Sequence, residues 1–216
     1  MQVKIIATTQ PLDFEPQYLI EYAGRVCTNT LSKFGQGSER FIRQRINEQH
    51  LGLLEHNSVT FLVEGISRVA SHQLVRHRLG SYAQMSERFC DVRDTDAVLP
   101  ASIAAHEDTF AEYEAAVTDA YTSYEHLIKS GIPREDARMV LPQGVETTIL
   151  VTMNLRSYLH LFDMRIHEAA QWEIREMCIK MLDLLIFYAP AVFVPYHQEV
   201  ARKYPDWFKE TKDVRS

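Results

Sequence analysis

The sequence has few cysteines and no long apolar run, which argues against a disulfide-linked or membrane-spanning protein. Its three cysteines, Cys27, Cys90 and Cys178, are odd in number and widely spaced, unlike a disulfide framework or a zinc knuckle. No apolar run approaches the roughly 18 residues of a membrane-spanning helix. The start, MQVKIIATTQ, passes directly into a strand-like segment and does not resemble a secretory signal. We therefore expect free thiols, no membrane partner and a cytoplasmic location.

An excess of positive charge is also absent. The formal net charge is −6, whereas a nucleic-acid-binding protein usually spreads basic residues over one face. A nucleic-acid-binding domain that uses its most basic segment is an alternative, and a steep dependence of DNA affinity on salt would be its signature. The acidic total argues against it, and we predict no nucleic-acid partner.

Several common catalytic and cofactor motifs are missing. In FGQGSER, Arg40 stands where a dinucleotide-binding loop needs its third glycine, and no GxxxxGK[ST] loop occurs. In HEAAQWE, Gln171 replaces the second histidine of a zinc-protease helix, so no residue is assigned to a metal. There is no G-x-S-x-G elbow, and no cysteine has the neighbourhood of an activated thiolate, although Cys90 lies closest to a basic cluster.

The remaining pattern is that of a globular α/β or α+β protein. No repeat or linker divides the chain, so a single domain over 1–216 is predicted. Segments rich in β-branched and aromatic residues predict three strands, and segments with 3.6-residue periodicity predict helices between them. The strands are VKIIATT, SVTFLVEG and VETTILVTMN; the helices are YLIEYAGRVC, SERFIRQRINEQH with a serine cap, ISRVASHQLVRHR through Arg78 with Gly80 as its stop, HEDTFAEYEAAVTDAYTSYEHLIKSG ending at Gly131, and two helices from Leu155 to Tyr188 with a break near His167.

One short segment concentrates cationic and hydroxyl side chains in this acidic chain. LVRHRLGSYAQMSERF contains Arg76, His77 and Arg78, followed by Ser81, Ser86 and Arg88. A helix C-terminus attracts cations, which accounts for one or two of these charges but not for Arg88. Guanidinium groups and serine hydroxyls together are suited to a phosphate or another planar anion.

A second cationic set follows the last predicted strand. In NLRSYLHLFDMR, Arg156 and His160 are four residues apart and share a helix face, whereas Arg165 points the other way. One helix could thus contact two different ligands. Arg138 is a further isolated arginine, and any one of these residues alone is typical of a solvated surface charge.

The basic segment resembles the motif of the flavin-dependent thymidylate synthases. Its pattern is Arg-His-Arg, two residues, Ser, four residues, Ser, one residue, Arg, and every fixed position from Arg76 to Arg88 is filled. LLEHNSVTF, ARMVLP, MNLRSYLHLFDMR and AQWEIRE are similar to other segments of the family. The resemblance spans roughly 55–176.

The resemblance implies a fold, reactants and an assembly. The fold would be a mainly antiparallel sheet flanked by helices, in a homotetramer with active sites where subunits meet. The reaction would be a methyltransferase reaction, the conversion of dUMP to dTMP, with methylenetetrahydrofolate as carbon donor and FAD reduced by NADPH. A non-catalytic flavin- or nucleotide-binding module is the alternative, and turnover distinguishes the two.

The resemblance also implies roles for individual residues. Arg165 would activate the uracil ring and Ser86 would act with it, while Ser86, Arg88 and Arg138 would hold dUMP. Gln84 stands where many relatives have glutamate, so this position carries no charge here. The implied flavin-side residues are His56, Ser58, Arg76, His77, Arg78, Asn154, Arg156 and His160; the implied dUMP-side residues are Gln73, Arg76, Gln84, Ser86, Arg88, Arg138 and Arg165.

Overall fold

A computed structural model of the chain describes residues 1–93 and 95–208. Within these residues four strands form one antiparallel sheet in the order β1-β2-β4-β3. The strands are β1 (Gln2–Thr8), β2 (Ser58–Ser67), β3 (Ser81–Gln84) and β4 (Glu146–Asn154). The predicted α+β class with a mainly antiparallel sheet is confirmed.

Alternation of buried and less buried side chains explains the two central strands. Val59, Phe61 and Val63 of β2 are fully buried, as are Ile149 and Val151 of β4. Successive strand residues point to opposite faces, so these β-branched and aromatic side chains build one apolar face. The three strands predicted from the sequence are confirmed; the short strand β3 was not predicted.

Helices account for most of the other described residues. The two predicted helices before β2, the long helix that ends at Gly131 and the two helices after β4 are confirmed, including the break near His167. The helix after Tyr188 was not predicted. The helices are α1 (Leu19–Cys27), α2 (Ser38–Asn47), α3 (Arg68–Leu74), α4 (Ala101–Ala104), α5 (Glu107–Lys129), α6 (Arg134–Ala137), α7 (Leu155–Arg165), α8 (Trp172–Tyr188) and α9 (Pro190–Lys203).

Two predicted helix boundaries are wrong. Helix α3 ends at Leu74 rather than continuing through Arg78, and the Arg-His-Arg sequence lies in the turn between α3 and β3. The predicted serine cap of α2 is also wrong, because Gly37 occupies the N-cap position and no side chain caps this helix. Both errors concern segments where the chain must turn within a few residues.

The end of α5 is confirmed at Gly131. Gly131 has φ 83°, a left-handed conformation that glycine adopts without steric cost. Its N–H donates to the Ile128 carbonyl at 3.0 Å, and the Ile132 N–H donates to the Leu127 carbonyl at 3.1 Å. These two bonds are the Schellman pattern that closes many helices.

The chain divides into two compact units. As far as the structure describes them, the first contains 1–2, 62–78 and 82–151, and the second contains 3–61, 79–81 and 152–208. The single domain over 1–216 stays a prediction, and its last eight residues lie outside the described part. Within the described residues, no helix is long and apolar enough to cross a membrane.

Candidate active site

The Arg-His-Arg turn in the first unit is fixed by a tyrosine of β3. The Tyr82 hydroxyl lies 3.1 Å from the Leu74 carbonyl and 2.6 Å from the His77 carbonyl, and it is placed to donate to them. Arg76 and Arg78 are exposed. Neither guanidinium forms an ion pair with another residue in the described part of the chain. The turn therefore carries two guanidinium groups without ion-pair partners in the described chain, on a backbone that Tyr82 fixes in place.

Tyr82 was not predicted as a site residue. Because its hydroxyl bonds to this turn, its ionisation is expected to change the stability of the turn. Burial raises the pKa of the Tyr82 hydroxyl to about 12. The folded protein therefore holds this proton more tightly than the unfolded chain, whose tyrosines ionise near the usual value of about 10. The resulting stabilisation is fully present below pH 10 and is lost as the pH rises from about 10 to 12.

Replacing Tyr82 with phenylalanine is expected to lower the free energy of unfolding by about 1 kcal/mol near neutral pH, because the turn loses its hydroxyl hydrogen bonding. The difference between wild type and variant should shrink between pH 10 and 12. Urea denaturation at several pH values measures both effects. A difference that stays constant up to pH 12 would contradict the assigned ionisation.

The turn after β3 holds the second half of the predicted motif. The Ser86 carbonyl accepts from the N–H groups of Phe89 at 3.1 Å and Cys90 at 2.8 Å. The Ser86 hydroxyl oxygen also accepts from the Arg88 N–H at 3.3 Å. Arg88 forms an ion pair with Glu135, and both side chains are exposed. The serine and arginine of the motif are therefore neighbours in a short, hydrogen-bonded turn.

Arg138 reaches the same turn from a distant part of the sequence. Its Nη1 lies 4.0 Å from a carboxylate oxygen of Glu87, and its Nε donates to the Glu135 carbonyl at 3.2 Å. Glu87 also pairs with Arg68 at 2.5 Å, with side chains only 12% and 17% exposed. The structure thus brings Arg88 and Arg138, which were predicted to hold one ligand, together around Glu135.

The surroundings of these two arginines are rich in guanidinium groups that pair with carboxylates. Asp91 pairs with both Arg93 and Arg134, and hydrogen bonds from Arg93 lower the pKa of its carboxyl to about 2. This set of ion pairs includes five guanidinium groups and three carboxylates. It contains Arg68, Arg88, Arg93, Arg134 and Arg138 with Glu87, Asp91 and Glu135. Such a site suits a phosphate group.

Gln84 ties β3 to its neighbours in the first unit. Its side-chain amide donates to the Ser71 hydroxyl at 2.9 Å and to the Thr147 hydroxyl at 3.2 Å. The neutral amide of Gln84 donates both of these hydrogen bonds. A glutamate carboxylate could only accept, so with glutamate at this position the two hydroxyls would have to be the donors. The amide oxygen of Gln84 remains an acceptor for a ligand. Gln73 is half-buried on the last turn of α3.

The second unit holds the other predicted site residues where β2 begins and α7 begins. The Asn154 side-chain oxygen caps α7 by accepting from the Ser157 N–H at 2.8 Å. Arg156 pairs with Glu55 at 2.5 Å, and His56 follows Glu55 in an exposed position. The structure therefore brings Arg156 close to the segment that contains His56 and Ser58. His160 lies one turn further along α7 and is exposed.

Asn57 is a buried polar residue that the sequence did not single out. Its side-chain amide donates to the Pro16 carbonyl at 2.9 Å, and its backbone carbonyl accepts from the Leu155 N–H at 3.0 Å. The Asn57 side-chain oxygen is buried without a partner in the described chain. Asn57 thus fixes the backbone between His56 and Ser58 to the start of α7. A single asparagine beside a histidine matches no motif, so there was no reason to select Asn57 from the sequence.

Arg165 is the last residue of α7 and lies beside a fully buried thiol. It is half-buried, and its charge acts on Cys178. Burial raises the pKa of the Cys178 thiol far above its usual range, against the lowering effect of Arg165. Cys178 is therefore a neutral core residue rather than a nucleophile. Cys90 is half-buried and Cys27 is exposed.

No candidate metal centre accompanies these residues. Over 1–93 and 95–208, no three histidine, cysteine, aspartate or glutamate side chains are grouped so that they could hold a metal ion. The donor groups described above at the predicted site residues are guanidinium, imidazole, amide and hydroxyl groups. These groups bind anions and hydrogen-bond to heterocyclic rings.

Comparisons with known proteins show similarity over most of the chain. The family model described as thymidylate synthase complementing protein matches residues 5–191. A protein named flavin-dependent thymidylate synthase from Geobacter sulfurreducens is 45% identical over 155 residues, covering 71% of this chain and 67% of its own length. Proteins of the same name are 39% identical over 170 residues in Pyrococcus furiosus (76% and 70% covered) and 40% identical over 190 residues in Pyrococcus horikoshii (85% and 78% covered).

Proposed function

Because the chain belongs to the thymidylate synthase complementing protein family, we propose that it is a flavin-dependent thymidylate synthase that converts dUMP to dTMP. Methylenetetrahydrofolate supplies the one-carbon unit and becomes tetrahydrofolate. NADPH supplies the reducing equivalents through FAD, and the hydrogen at C5 of uracil is replaced by the new methyl group. The alternative of a non-catalytic flavin- or nucleotide-binding module predicts binding without turnover.

The observation that carries the proposal is the meeting of Arg88 and Arg138 at Glu135, fifty residues apart in sequence. Together with the Ser86 hydroxyl they offer two forked donors and a neutral donor to one anion. We assign the phosphate of dUMP to these three residues, with Gln73, Arg76 and the free oxygen of Gln84 as further contacts.

The donors in the Arg-His-Arg turn and, separately, those at the start of α7 are of types that bind parts of FAD. Arg76 and Arg78 are exposed cations without ion pairs in the described chain, which suits a diphosphate. Bound FAD would supply the hydride that completes the methyl group. The chain's part is to hold and orient it, through His56, Ser58, Arg76, His77, Arg78, Asn154, Arg156 and His160. Asn154 uses its oxygen to cap α7, so its amide N–H groups remain for a ligand.

Arg165 is assigned to the uracil ring. C5 of uracil becomes nucleophilic only when negative charge develops on the N3–O4 side of the ring. A guanidinium held against that edge stabilises the charge, because it stays protonated and offers a planar pair of donors. The buried Cys178 takes no part, and we assign Ser86 to binding and polarisation, since no histidine–aspartate pair of the described residues contacts its hydroxyl.

We also propose a homotetramer in the cytoplasm whose active sites include residues of more than one subunit. Large apolar side chains lie next to the dUMP-binding residues and are exposed in the single chain. Phe89, beside Arg88, is 74% exposed, and Met139, beside Arg138, is 82% exposed. Exposed apolar groups of this size are typical of surfaces that a partner covers.

The decisive experiment is a spectrum followed by an assay. Purified protein supplied with FAD should show a flavin absorption band that NADPH bleaches. Addition of dUMP and methylenetetrahydrofolate should then yield dTMP, measured by chromatography. A protein that binds no flavin would refute the proposal, and a protein that binds flavin and dUMP without forming dTMP would be the non-catalytic module.

Replacing Ser86 with alanine is expected to weaken dUMP binding about fivefold to tenfold, since a neutral hydrogen bond contributes about 1 kcal/mol. The flavin absorption of the purified variant should be unchanged. Equilibrium titration with dUMP measures the first effect, and the visible spectrum measures the second. Exposed Ser130, whose hydroxyl bonds within the last turn of α5, provides a matched serine-to-alanine control. Unchanged affinity and rate in Ser86→Ala would remove Ser86 from the site.

A further inference from the structure

Two hydroxyl groups contact the side chain of Gln84 in the first unit, and neither belongs to a residue assigned above to a ligand. Ser71 is fully buried on α3, and Thr147 is 2% exposed on β4. The Gln84 amide nitrogen donates to the Ser71 hydroxyl at 2.9 Å and to the Thr147 hydroxyl at 3.2 Å. An amide NH2 group has two protons, so these contacts use its full capacity to donate.

The proton of the Ser71 hydroxyl is already used in another hydrogen bond. This hydroxyl donates to the Arg68 carbonyl, one turn earlier on α3, at 3.0 Å. A hydroxyl has a single proton, so toward Gln84 the Ser71 oxygen can only accept. The amide nitrogen of Gln84 must therefore face Ser71, because the amide oxygen in its place would set two acceptors against each other beside a buried side chain.

Fixing the amide nitrogen of Gln84 also fixes its oxygen. Gln84 is half-buried at the end of β3, and its amide oxygen forms no hydrogen bond with the described residues. The next peptide group is held as well, since the Met85 N–H donates to the Thr148 carbonyl of β4 at 2.9 Å. Position 84 therefore offers a ligand one acceptor in a defined orientation, two residues before Ser86.

We propose that Ser71 and Thr147 are positioning residues, which make position 84 a selective acceptor for a hydrogen-bond donor of dUMP. The inference rests on the proposed function, in which Gln84 contacts this nucleotide. The groups of dUMP that can donate are the N3–H of uracil and the 3′-hydroxyl of deoxyribose. Ser71 and Thr147 act through Gln84, by holding its amide in one of two possible orientations.

Substitutions of Thr147 separate hydrogen bonding from packing. Thr147→Val keeps the shape of the side chain and removes the hydroxyl, whereas Thr147→Ser keeps the hydroxyl and removes the methyl group. Protein loaded with FAD is titrated with dUMP by isothermal calorimetry. We expect Thr147→Val to weaken dUMP binding about threefold to fivefold and Thr147→Ser to stay within about twofold of wild type. A role in packing alone predicts the opposite order, because serine leaves a cavity.

A double-mutant cycle tests whether Ser71 acts through Gln84. Ser71→Ala should weaken dUMP binding about fivefold. Gln84→Met keeps the length of the side chain without its amide, and it should weaken binding about tenfold. The double variant should bind at most about twofold more weakly than Gln84→Met, since without the amide Ser71 has no group to position. Independent losses that multiply in the double variant would overturn the proposal.

Thr152→Val provides a matched control on β4. The substitution removes a threonine hydroxyl that bonds to the Thr60 hydroxyl at 2.8 Å, and neither threonine bonds to Gln84. This variant should bind dUMP as wild type does. Urea denaturation of every variant shows that each affinity is measured on folded protein. A loss of affinity in Thr152→Val equal to that in Thr147→Val would contradict a specific role of Thr147.

Two analogues identify the donor of dUMP. The 5′-monophosphate of 2′,3′-dideoxyuridine lacks the 3′-hydroxyl, and N3-methyl-dUMP lacks the N3–H. The analogue without the partner of Gln84 should bind equally well to wild type and Thr147→Val, whereas the other analogue should retain the difference between them. If both analogues retain the full difference, the Gln84 oxygen accepts from neither group and the proposal is overturned.

The titrations also separate this proposal from the proposed function. Wild-type affinity for dUMP in both Ser71→Ala and Thr147→Val, in a protein that forms dTMP, contradicts the positioning roles alone. A protein that binds dUMP without forming dTMP is not the proposed enzyme, but its titrations still decide the roles of the two hydroxyls. A protein that binds no dUMP contradicts both.

Discussion

Replacing Arg165 with alanine is expected to abolish dTMP formation while FAD stays bound. Removing a donor that stabilises developing negative charge typically costs about 100-fold to 1,000-fold in rate. Arg165 lies at the end of α7, nine residues after the flavin-side Arg156. The flavin contacts assigned to the start of that helix should therefore survive. Single-turnover assays measure the rate of methyl transfer, and the visible spectrum measures flavin content.

A matched arginine on the next helix controls for loss of packing. Arg175 of α8 is half-buried like Arg165, but it donates to the Ala170 carbonyl at 3.0 Å and stacks on Trp207 at 4.4 Å. Arg175→Ala should lose stability and keep its rate per folded molecule. Arg165→Lys should recover part of the activity, since it keeps the charge without the planar donor pair. A colourless Arg165→Ala protein would instead place this residue at the flavin.

The sequence was most informative where side-chain chemistry alone defines a pattern. Arg88 and Ser86 were identified because guanidinium and hydroxyl groups at fixed spacing suit an anion, and the structure places them in one turn. Enrichment in β-branched and aromatic residues likewise predicted β2 and β4, since such side chains fit the pleated surface of a half-buried sheet. These inferences depend on local properties of the chain, which tertiary contacts did not override.

The errors fall where tertiary contacts decide the outcome. Periodicity continued α3 through Arg78, but the helix ends at Leu74, and Tyr82 bonds to the carbonyls of Leu74 and His77. Strand β3 has only four residues and follows Gly80, so its own pattern is too short to detect. It becomes a strand because it pairs with β4. Hydrogen bonding to the neighbouring strand therefore fixes the extended conformation, which the four residues of β3 do not specify by themselves.

The role of Glu87 could not be predicted from the sequence, because it also depends on tertiary contacts. It occupies the unspecified position between Ser86 and Arg88, so it carries no weight in the motif. Its partners, Arg68 and Arg138, lie 19 residues before it and 51 residues after it. Only the folded chain reveals that this carboxylate connects α3 to the turn that holds the predicted dUMP ligands.

Replacing Glu87 with alanine is expected to lower the free energy of unfolding by about 2–3 kcal/mol, because Arg68 then keeps a largely buried charge without its partner. The two side chains are 17% and 12% exposed and 2.5 Å apart. A double-mutant cycle with Arg68→Ala, followed by urea denaturation, measures their coupling free energy directly. We expect a coupling of about 1–2 kcal/mol.

An exposed ion pair in the same protein provides a reference value for this coupling free energy. Glu39 and Arg43 are 3.4 Å apart on α2, with side chains about half exposed (53% and 49%). Solvent and ions screen such a pair, so its cycle should give no more than about 0.5 kcal/mol. The difference between the two cycles isolates the effect of burial, because both pairs join a glutamate to an arginine. Equal coupling in both cycles would mean that the pair with Arg68 does not anchor Glu87 and the motif turn more firmly than an exposed ion pair does.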